Sequence, residues 1–385
     1  MSRVYLDYNA TAPLRPEARA AVIDGLQAGN PSSVHYEGRQ ARALIDGARR
    51  QIAALCNTKP EGVIFTSGGT EACNMAMKLS AAPAGPVARI LVSAIEHAAV
   101  LSAAAASHLP VEVLPVSADG QLDLAALDKA LENPAPALVC VMLANNETGV
   151  IQPVAEISAR VRAHGSLLFC DAVQAAGKMP IDIAALGCDG VSLSGHKLGA
   201  PMGTGALIVR QGLVTPSHIV GGGQELGRRA GSENIIGILG FAAAAAASHA
   251  ALASFAELAA WRNGMEKALR ASFDDVVVFG AEAPRLANTS CFALSGLRSE
   301  TLVMSLDLAG ISVSAGSACS SGKVSRSHVL EAMGVSPHIS KAVVRVSLGW
   351  QSHTQDTDKL VTAWAKLAAR LDPKKRDVNL TKAAE

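Results

Sequence analysis

Aromatic residues are scarce in this chain: only 3% of its 385 residues are Phe, Trp or Tyr, although 49% are hydrophobic. Ala, Val and Leu therefore carry the excess, and any core must pack from small and aliphatic side chains. Charge of one sign is lacking too. The 34 Lys and Arg stand against 33 Asp and Glu, a net of +1, which gives no electrostatic case for nucleic acid or a membrane surface. A small-molecule substrate is expected, without membrane attachment or direct nucleic-acid binding. The longest apolar run, Phe241 to Phe255 with six consecutive alanines, is too short and weakly hydrophobic to span a bilayer, and Ser248 and His249 break it. The opening M-S-R-V-Y-L-D-Y-N-A lacks the basic and apolar regions of a signal peptide, so a cytoplasmic protein is expected. No C-x-x-C pair occurs among the seven cysteines, whose odd number and scatter argue against a disulfide framework and a structural zinc site.

What is present is a long chain with a regular texture. Its length suits roughly two domains. Between about residues 60 and 210, short β-branched runs alternate with helical patterns, which predicts a parallel sheet with crossover helices. The strands expected there are Val63–Thr66, Arg89–Ser93, Val111–Leu114, Leu138–Leu143, Leu167–Asp171, Gly190–Leu193 and Ala206–Val209. Helices are expected at Glu71–Leu79, Leu124–Leu131 and Val154–His164. One long alanine-rich helix, Ile235 to about Leu269, then leads to shorter strands at Val276–Phe279, Ser290–Leu294, Ile311–Ser314 and Val343–Ser347, a smaller α+β unit. In open α/β sheets ligands collect beyond the carboxyl ends of the strands, so the polar clusters there are the places to search.

One such cluster is Ser194-Gly195-His196-Lys197, after an apolar run. A lysine held at a strand end between short residues loses water and basicity, and a neutral amine is a nucleophile. Such lysines form Schiff bases with pyridoxal phosphate (PLP) or a carbonyl substrate. Ser67-Gly68-Gly69-Thr70-Glu71 opens a helix after another strand, where free N–H groups and the Thr70 hydroxyl suit a phosphate or simply cap the helix. Asp171 ends a buried strand and needs a cation, such as a protonated pyridine nitrogen, or a capping role. His97 follows a third strand, where a ring can stack on a cofactor and move protons near neutral pH, or serve structure alone. Cys140, Cys170 and Cys291 lie in apolar runs and read as buried hydrophobes. Cys319 differs: Ser314-Ala315-Gly316-Ser317-Ala318-Cys319-Ser320-Ser321-Gly322 offers nothing large to bury a thiol. It reads as a mobile loop carrying a thiolate nucleophile, against a tolerated surface cysteine.

Taken together, these runs, with Y-L-D-Y-N-A-T-A-P-L at 5–14, G-N-P-S-S-V-H at 29–35, N-N-E-T-G at 145–149, D-A-V-Q at 171–174, G-G-G-Q-E at 221–225, R-A-G-S-E-N at 229–234 and R-V-S-L-G at 345–349, resemble the cysteine desulfurases of the nitrogen-fixation and iron–sulfur-cluster type. These are PLP enzymes of fold type I in the class V aminotransferase group. The resemblance spans nearly the whole chain. It implies an α/β fold, with a large PLP-binding domain over 15–255 built on a mainly parallel seven-stranded sheet. Residues 1–14 and 256–385 would form the smaller α+β domain, carrying the catalytic-cysteine loop at about 314–326.

It also implies roles. Lys197 would carry PLP and move the substrate Cα proton; Asp171 would pair with the ring nitrogen, Gln174 would bond the phenolic oxygen and His97 would stack on the ring. Gly69, Thr70, Ser194, Gly195 and His196 would hold the cofactor at its phosphate end, helped by Ser232 from the other subunit of a homodimer. Asn146, which would also touch the cofactor, and Arg345 would receive the substrate carboxylate, with Asn9 a further substrate contact. Cys319 would take sulfur from L-cysteine as a persulfide, leave L-alanine, and pass the sulfur to an acceptor for iron–sulfur cluster assembly, where it could briefly ligate the cluster metal. A selenocysteine lyase, or another class V PLP lyase or aminotransferase, is the alternative. The chain departs from the family pattern at Leu226, where many relatives have arginine, at Ser232, where threonine is usual, and in Lys323-Val324-Ser325-Arg326 after the cysteine.

Overall fold

The computed structural model describes residues 3–80, 85–272, 275–294, 298–316 and 326–371, the last with side chains to residue 367. Thirteen strands occur among them. Val4–Tyr5 (β1) precedes Val63–Thr66 (β2), Arg89–Ser93 (β3), Val111–Leu114 (β4), Ala137–Cys140 (β5), Leu167–Asp171 (β6), Gly190–Ser194 (β7) and Gly205–Val209 (β8). Val276–Val278 (β9), Thr289–Leu294 (β10), Ile311–Ser312 (β11), Ser314–Ala315 (β12) and Val343–Ser347 (β13) follow.

Seven of these strands form one sheet in the order β2-β8-β7-β6-β5-β3-β4. Neighbours from β7 through β4 pair in parallel, whereas β8 runs antiparallel to both β7 and β2. The sheet is thus mainly parallel, as expected, with a single reversed strand formed because the chain turns back directly after Lys197. Helices cover both faces, which is why β2, β3, β5, β6, β7 and β8 are buried along their whole length and read as apolar runs rather than alternations. Two apolar cores flank this sheet, one including Ile45, Ile52, Leu91, Val139 and Phe241, the other Ile64, Met75, Ile90 and Phe169.

A second unit has its own core. β12-β13-β10-β9 form an antiparallel sheet, and β1 pairs with β11 beside it. Val4 and Leu6 from the N-terminus join Phe292, Leu302 and Trp364 there, with the Phe292 and Trp364 rings edge-to-face at 5.1 Å and 68°.

Several boundaries differ from the sequence expectation. Strand β5 ends at Cys140 rather than Leu143, and the helix expected at Glu71–Leu79 runs Gly69–Ala76, starting within the glycine turn. The expected strand Ile311–Ser314 is two strands in two sheets: β11 bonds β1, and the chain crosses at Val313 so that β12 bonds β13. The single long helix is a pair, Ile235–Ala250 and Leu252–Ser272, bent by 68°. The first helix packs against the helices Pro16–Gly25 and Tyr36–Leu55 over the large sheet, the second against β9, β10 and the C-terminal helix, so one straight rod could not serve both cores. Ser248 adds a local cause by donating to the Ala245 carbonyl at 3.0 Å, a back-bond that bends helices. Among the described residues no single helix is long and apolar enough to cross a membrane.

Candidate active site

The turns after β2, β3, β5, β6 and β7 open onto one cavity of about 460 Å³. Lys197 enters it from a 3₁₀ turn, Gly195–Lys197, that begins where β7 stops. Its Nζ donates to the main-chain carbonyls of Asn9 and Ala10, each at 2.7 Å. The N-terminal segment 9–10 therefore closes one wall of the site, although it precedes the large sheet by more than fifty residues.

Asp171 ends β6 at the cavity floor. Its Oδ1 accepts from the Val173 N–H at 3.0 Å and the Ser192 hydroxyl at 2.9 Å, so the carboxylate is fixed in orientation before any ligand arrives. His97 caps the helix Ala98–Ala105, its Nδ1 accepting from the Ala99 N–H at 3.1 Å. That bond leaves the imidazole proton on Nε2. Burial pushes His97 below the usual histidine range, Asp171 pulls it upward, and Lys197 and His328 push it down. It is a neutral ring at pH 7, able to accept or give one proton as a ligand requires. His196 is driven down as well, to about 4, by burial and then by Lys197.

The glycine turn faces Asp171 from β2. A Cβ on Gly69 would lie 3.1 Å from Val173 Cγ2 and 3.4 Å from Ser194 Cβ, so glycine lets this helix start sit close against the ends of β6 and β7. Glu71 braces the turn, accepting from the Ser67 N–H at 2.7 Å while pairing with Arg229 at 2.9 Å. Thr70, Ser194 and His196 line the same end of the cavity, where helix-start N–H groups and hydroxyls suit an anion.

At the other end stands Arg345 on β13, 1% exposed. Its Nη2 donates to Asp7 Oδ1 at 2.8 Å and its Nη1 to the Asn146 carbonyl at 3.1 Å, while its buried Nε has no partner. An orphaned guanidinium N–H in a closed site is costly unless a ligand acceptor reaches it, and a carboxylate is the acceptor that fits its fork. Asn9 is saturated by the protein: Nδ2 donates to the Asn146 carbonyl and Thr289 Oγ1, and Oδ1 accepts from Lys178 and Asn288.

The residues singled out from sequence thus converge. Gly69, Thr70, His97, Asn146, Asp171, Gln174, Ser194, His196, Lys197, Asn9 and Arg345 all line this cavity. Gly195 does not, but a Cβ there would meet Thr204 Oγ1 at 2.5 Å, so it keeps the turn before Lys197 tight. Ser232 lies outside, exposed beside a smaller cavity that shares Ser67, Gly203 and Thr204 with the first. Cys319 falls outside the described residues. The strand leading toward it is described, and Ser314 on β12 pairs directly with Arg345 on β13. On the far side of that segment, Ser327 donates to Glu147 Oε2 at 2.5 Å.

Some residues of the site were not anticipated. Glu147, inside N-N-E-T-G, is buried, and that burial pushes its carboxyl up to about 7 despite the Ser327 bond and Arg345. Glu96, beside His97, is fully buried, with Oε1 accepting from the Met142 N–H at 2.7 Å and Oε2 unpartnered. Burial and then Asp171 raise it well above the usual carboxylate range. Glu147 sits in a quoted run and Glu96 directly before His97, and neither position signals burial in the sequence. Asp7 and Lys178 also engage the site, and the sequence signal for Lys178 is its place four residues after Gln174.

Comparisons with known proteins agree on one family. The aminotransferase class-V family model matches residues 4–360. A cysteine desulfurase from Cereibacter sphaeroides is 42% identical over 375 residues, 94% of each chain. An IscS-like cysteine desulfurase from Mycobacterium tuberculosis is 40% identical over 380 residues, 95% of this chain and 96% of that one. Among solved structures, a NifS-like protein from Rickettsia africae ESF-5 superposes with a TM-score of 0.87 at 31% identity, covering 95% of this chain and 99% of that one.

Proposed function

This chain belongs to the aminotransferase class-V family and, within it, to the cysteine desulfurases, and from that premise we propose which of its residues bind the cofactor and move sulfur. The cofactor is PLP, which when bound supplies an electron sink for charge developing at the substrate Cα. The residues present suit it: a fixed carboxylate at Asp171 for a ring cation, a helix start with Thr70, Ser194 and His196 for a phosphate, and Lys197 between them. Lys197 holds the cofactor and then takes and returns the proton at the substrate Cα. His97, neutral with its proton on Nε2, would stack on the ring and handle the proton of the substrate thiol. Arg345, through its unpartnered Nε and one Nη, grips the substrate carboxylate, with Asn146 beside it.

The substrate is L-cysteine. The Cys319 thiolate attacks its sulfur, forming a sulfur–sulfur bond as the carbon–sulfur bond breaks and leaves its electron pair on the three-carbon fragment. That fragment takes up protons and departs as L-alanine, so the chain acts as a sulfurtransferase and keeps one sulfur as a persulfide. We divide the chain into a large unit, 15–255, and a smaller one from 1–14 and 256–385 that delivers Cys319. A second copy supplies Ser232 to the phosphate end, and a scaffold or other acceptor protein for iron–sulfur assembly takes the sulfur. Cys319 would be its transient link to the cluster metal.

The observation that carries this reading is Lys197, Asp171, His97 and Arg345 lining one cavity, with the strand toward Cys319 bonded at Arg345. PLP-loaded protein given L-cysteine and a reductant is expected to yield alanine and sulfide in equal amounts. Cys319→Ala is expected to abolish both while keeping the cofactor absorbance, and persistent desulfuration in that variant would remove Cys319 from its role.

A further inference from the structure

Lys178 is a buried lysine beside the site with no part in the chemistry above. It stands in the turn that follows β6, four residues after Gln174, and is 7% exposed. A buried amine must be matched by acceptors. Its Nζ donates to Gln174 Oε1 at 2.7 Å and to Asn9 Oδ1 at 2.8 Å.

Those two bonds settle the orientation of two amides. A side-chain amide can present either its oxygen or its nitrogen to a neighbour, and a lysine ammonium only gives protons. Gln174 must therefore turn Oε1 toward Lys178 and Nε2 away from it. One Nε2 proton goes to the Asn9 carbonyl at 3.0 Å, and the other is left for the cavity that Gln174 lines. Asn9 is turned the same way, so its Nδ2 reaches the Asn146 carbonyl at 3.2 Å, the acceptor that also receives Arg345 Nη1. Burial, then Lys197 and Arg345, hold Lys178 well below the usual lysine range. If the third proton is lost, the remaining two still serve the two oxygens, and the Asn9 carbonyl, which only accepts, keeps Gln174 Nε2 turned toward it.

We propose that Lys178 is a positioning residue: it locks the Gln174 amide, and with it Asn9, so that Gln174 faces the cofactor ring oxygen only as a hydrogen-bond donor. This rests on the PLP reading above. The alternative is a lysine that only fills space, in which case Gln174 is oriented by the Asn9 carbonyl alone and the two residues are not coupled.

The test is a double-variant cycle read by PLP titration of the apo protein, following the dissociation constant and the position of the visible band. The unaltered protein is expected to bind PLP with a visible band; if it does not, the PLP reading fails and Lys178 is not at issue. Lys178→Met and Gln174→Ala are each expected to weaken PLP about tenfold, with Lys178→Met also moving the band. In the double variant the loss is expected to stay within about twofold of Gln174→Ala alone, because coupled residues are not additive. Wild-type affinity and band in Lys178→Met, or losses that multiply in the double variant, would overturn the proposal. Replacing a buried charge with a packed apolar chain is often tolerated. Should Lys178→Met not fold, Lys178→Arg is read instead, since arginine also only donates. Affinity within about threefold of wild type supports the proposal, and a tenfold loss at unchanged melting temperature overturns it.

Discussion

Glu147, which follows the cavity residue Asn146, is held in a state that water would not favour. Glu147 keeps its proton to about pH 7 in the folded chain against an ordinary 4.5. Because the folded-state value is raised, its contribution to stability is complete below about pH 4.5 and is lost as pH rises through about 7. The slope is worth roughly 3 kcal/mol at most. Urea unfolding across that window is expected to show stability falling with pH in the wild type, and Glu147→Gln is expected to flatten this component. A wild-type curve unchanged by the substitution would mean that Glu147 ionises normally. Arg345 is pre-aligned by Asp7 and the Asn146 carbonyl. Arg345→Lys keeps the charge but loses the fork, so KM for L-cysteine is expected to rise about tenfold or more with a smaller change in kcat. Equal losses in both would shift its role to the chemical step. At this scale the sequence revealed residue types but not burial: Glu147 stands inside a quoted motif and Glu96 beside His97, and only packing explains why both carboxyls are pushed up.

The elements work by ending in the right places. Strands β2, β3, β4, β6 and β13 begin and end where the sequence pattern predicts, because polar, glycine or proline residues punctuate each run. Gly177 shows how close the packing behind the site is. Its φ is +66°, and a Cβ would lie 2.5 Å from Leu198 Cδ2 and 2.6 Å from Ser248 Oγ. Gly177→Ala is expected to cost roughly 2–4 kcal/mol, from the left-handed backbone and the overlap together. Because Leu198 follows Lys197, it should also weaken PLP binding. Thermal unfolding and a PLP titration check both, and a variant as stable as wild type would show that the neighbours give way. The break at Ala251 and the crossing at Val313 were not legible. Neither carries glycine or proline, and both arise where the chain must leave one core or sheet for another, a tertiary demand that local pattern does not encode.

For the whole molecule, the proposed pairing of two chains has a local basis. Ser232 lies outside its own cavity, and the loops around it expose large apolar groups, Val220 at 86% and Leu226 at 73%. Leu226 adds a left-handed backbone, φ +58°, an arrangement that a covering surface would stabilise. Light scattering is expected to give the mass of two chains, and Ser232→Ala to weaken PLP about fivefold with that mass unchanged. A monomer that binds PLP equally well with serine or alanine would contradict it. The central claim is that Lys197 and Cys319 act as two halves of one sulfur-moving device, and it is tested most directly by mass spectrometry. PLP-loaded protein is incubated with L-cysteine without reductant, alkylated and digested. One added sulfur on the Cys319 peptide, in step with alanine formed and absent from Lys197→Ala, is the predicted result. Alanine formed while Cys319 carries no extra sulfur, or sulfur on another cysteine instead, would contradict it.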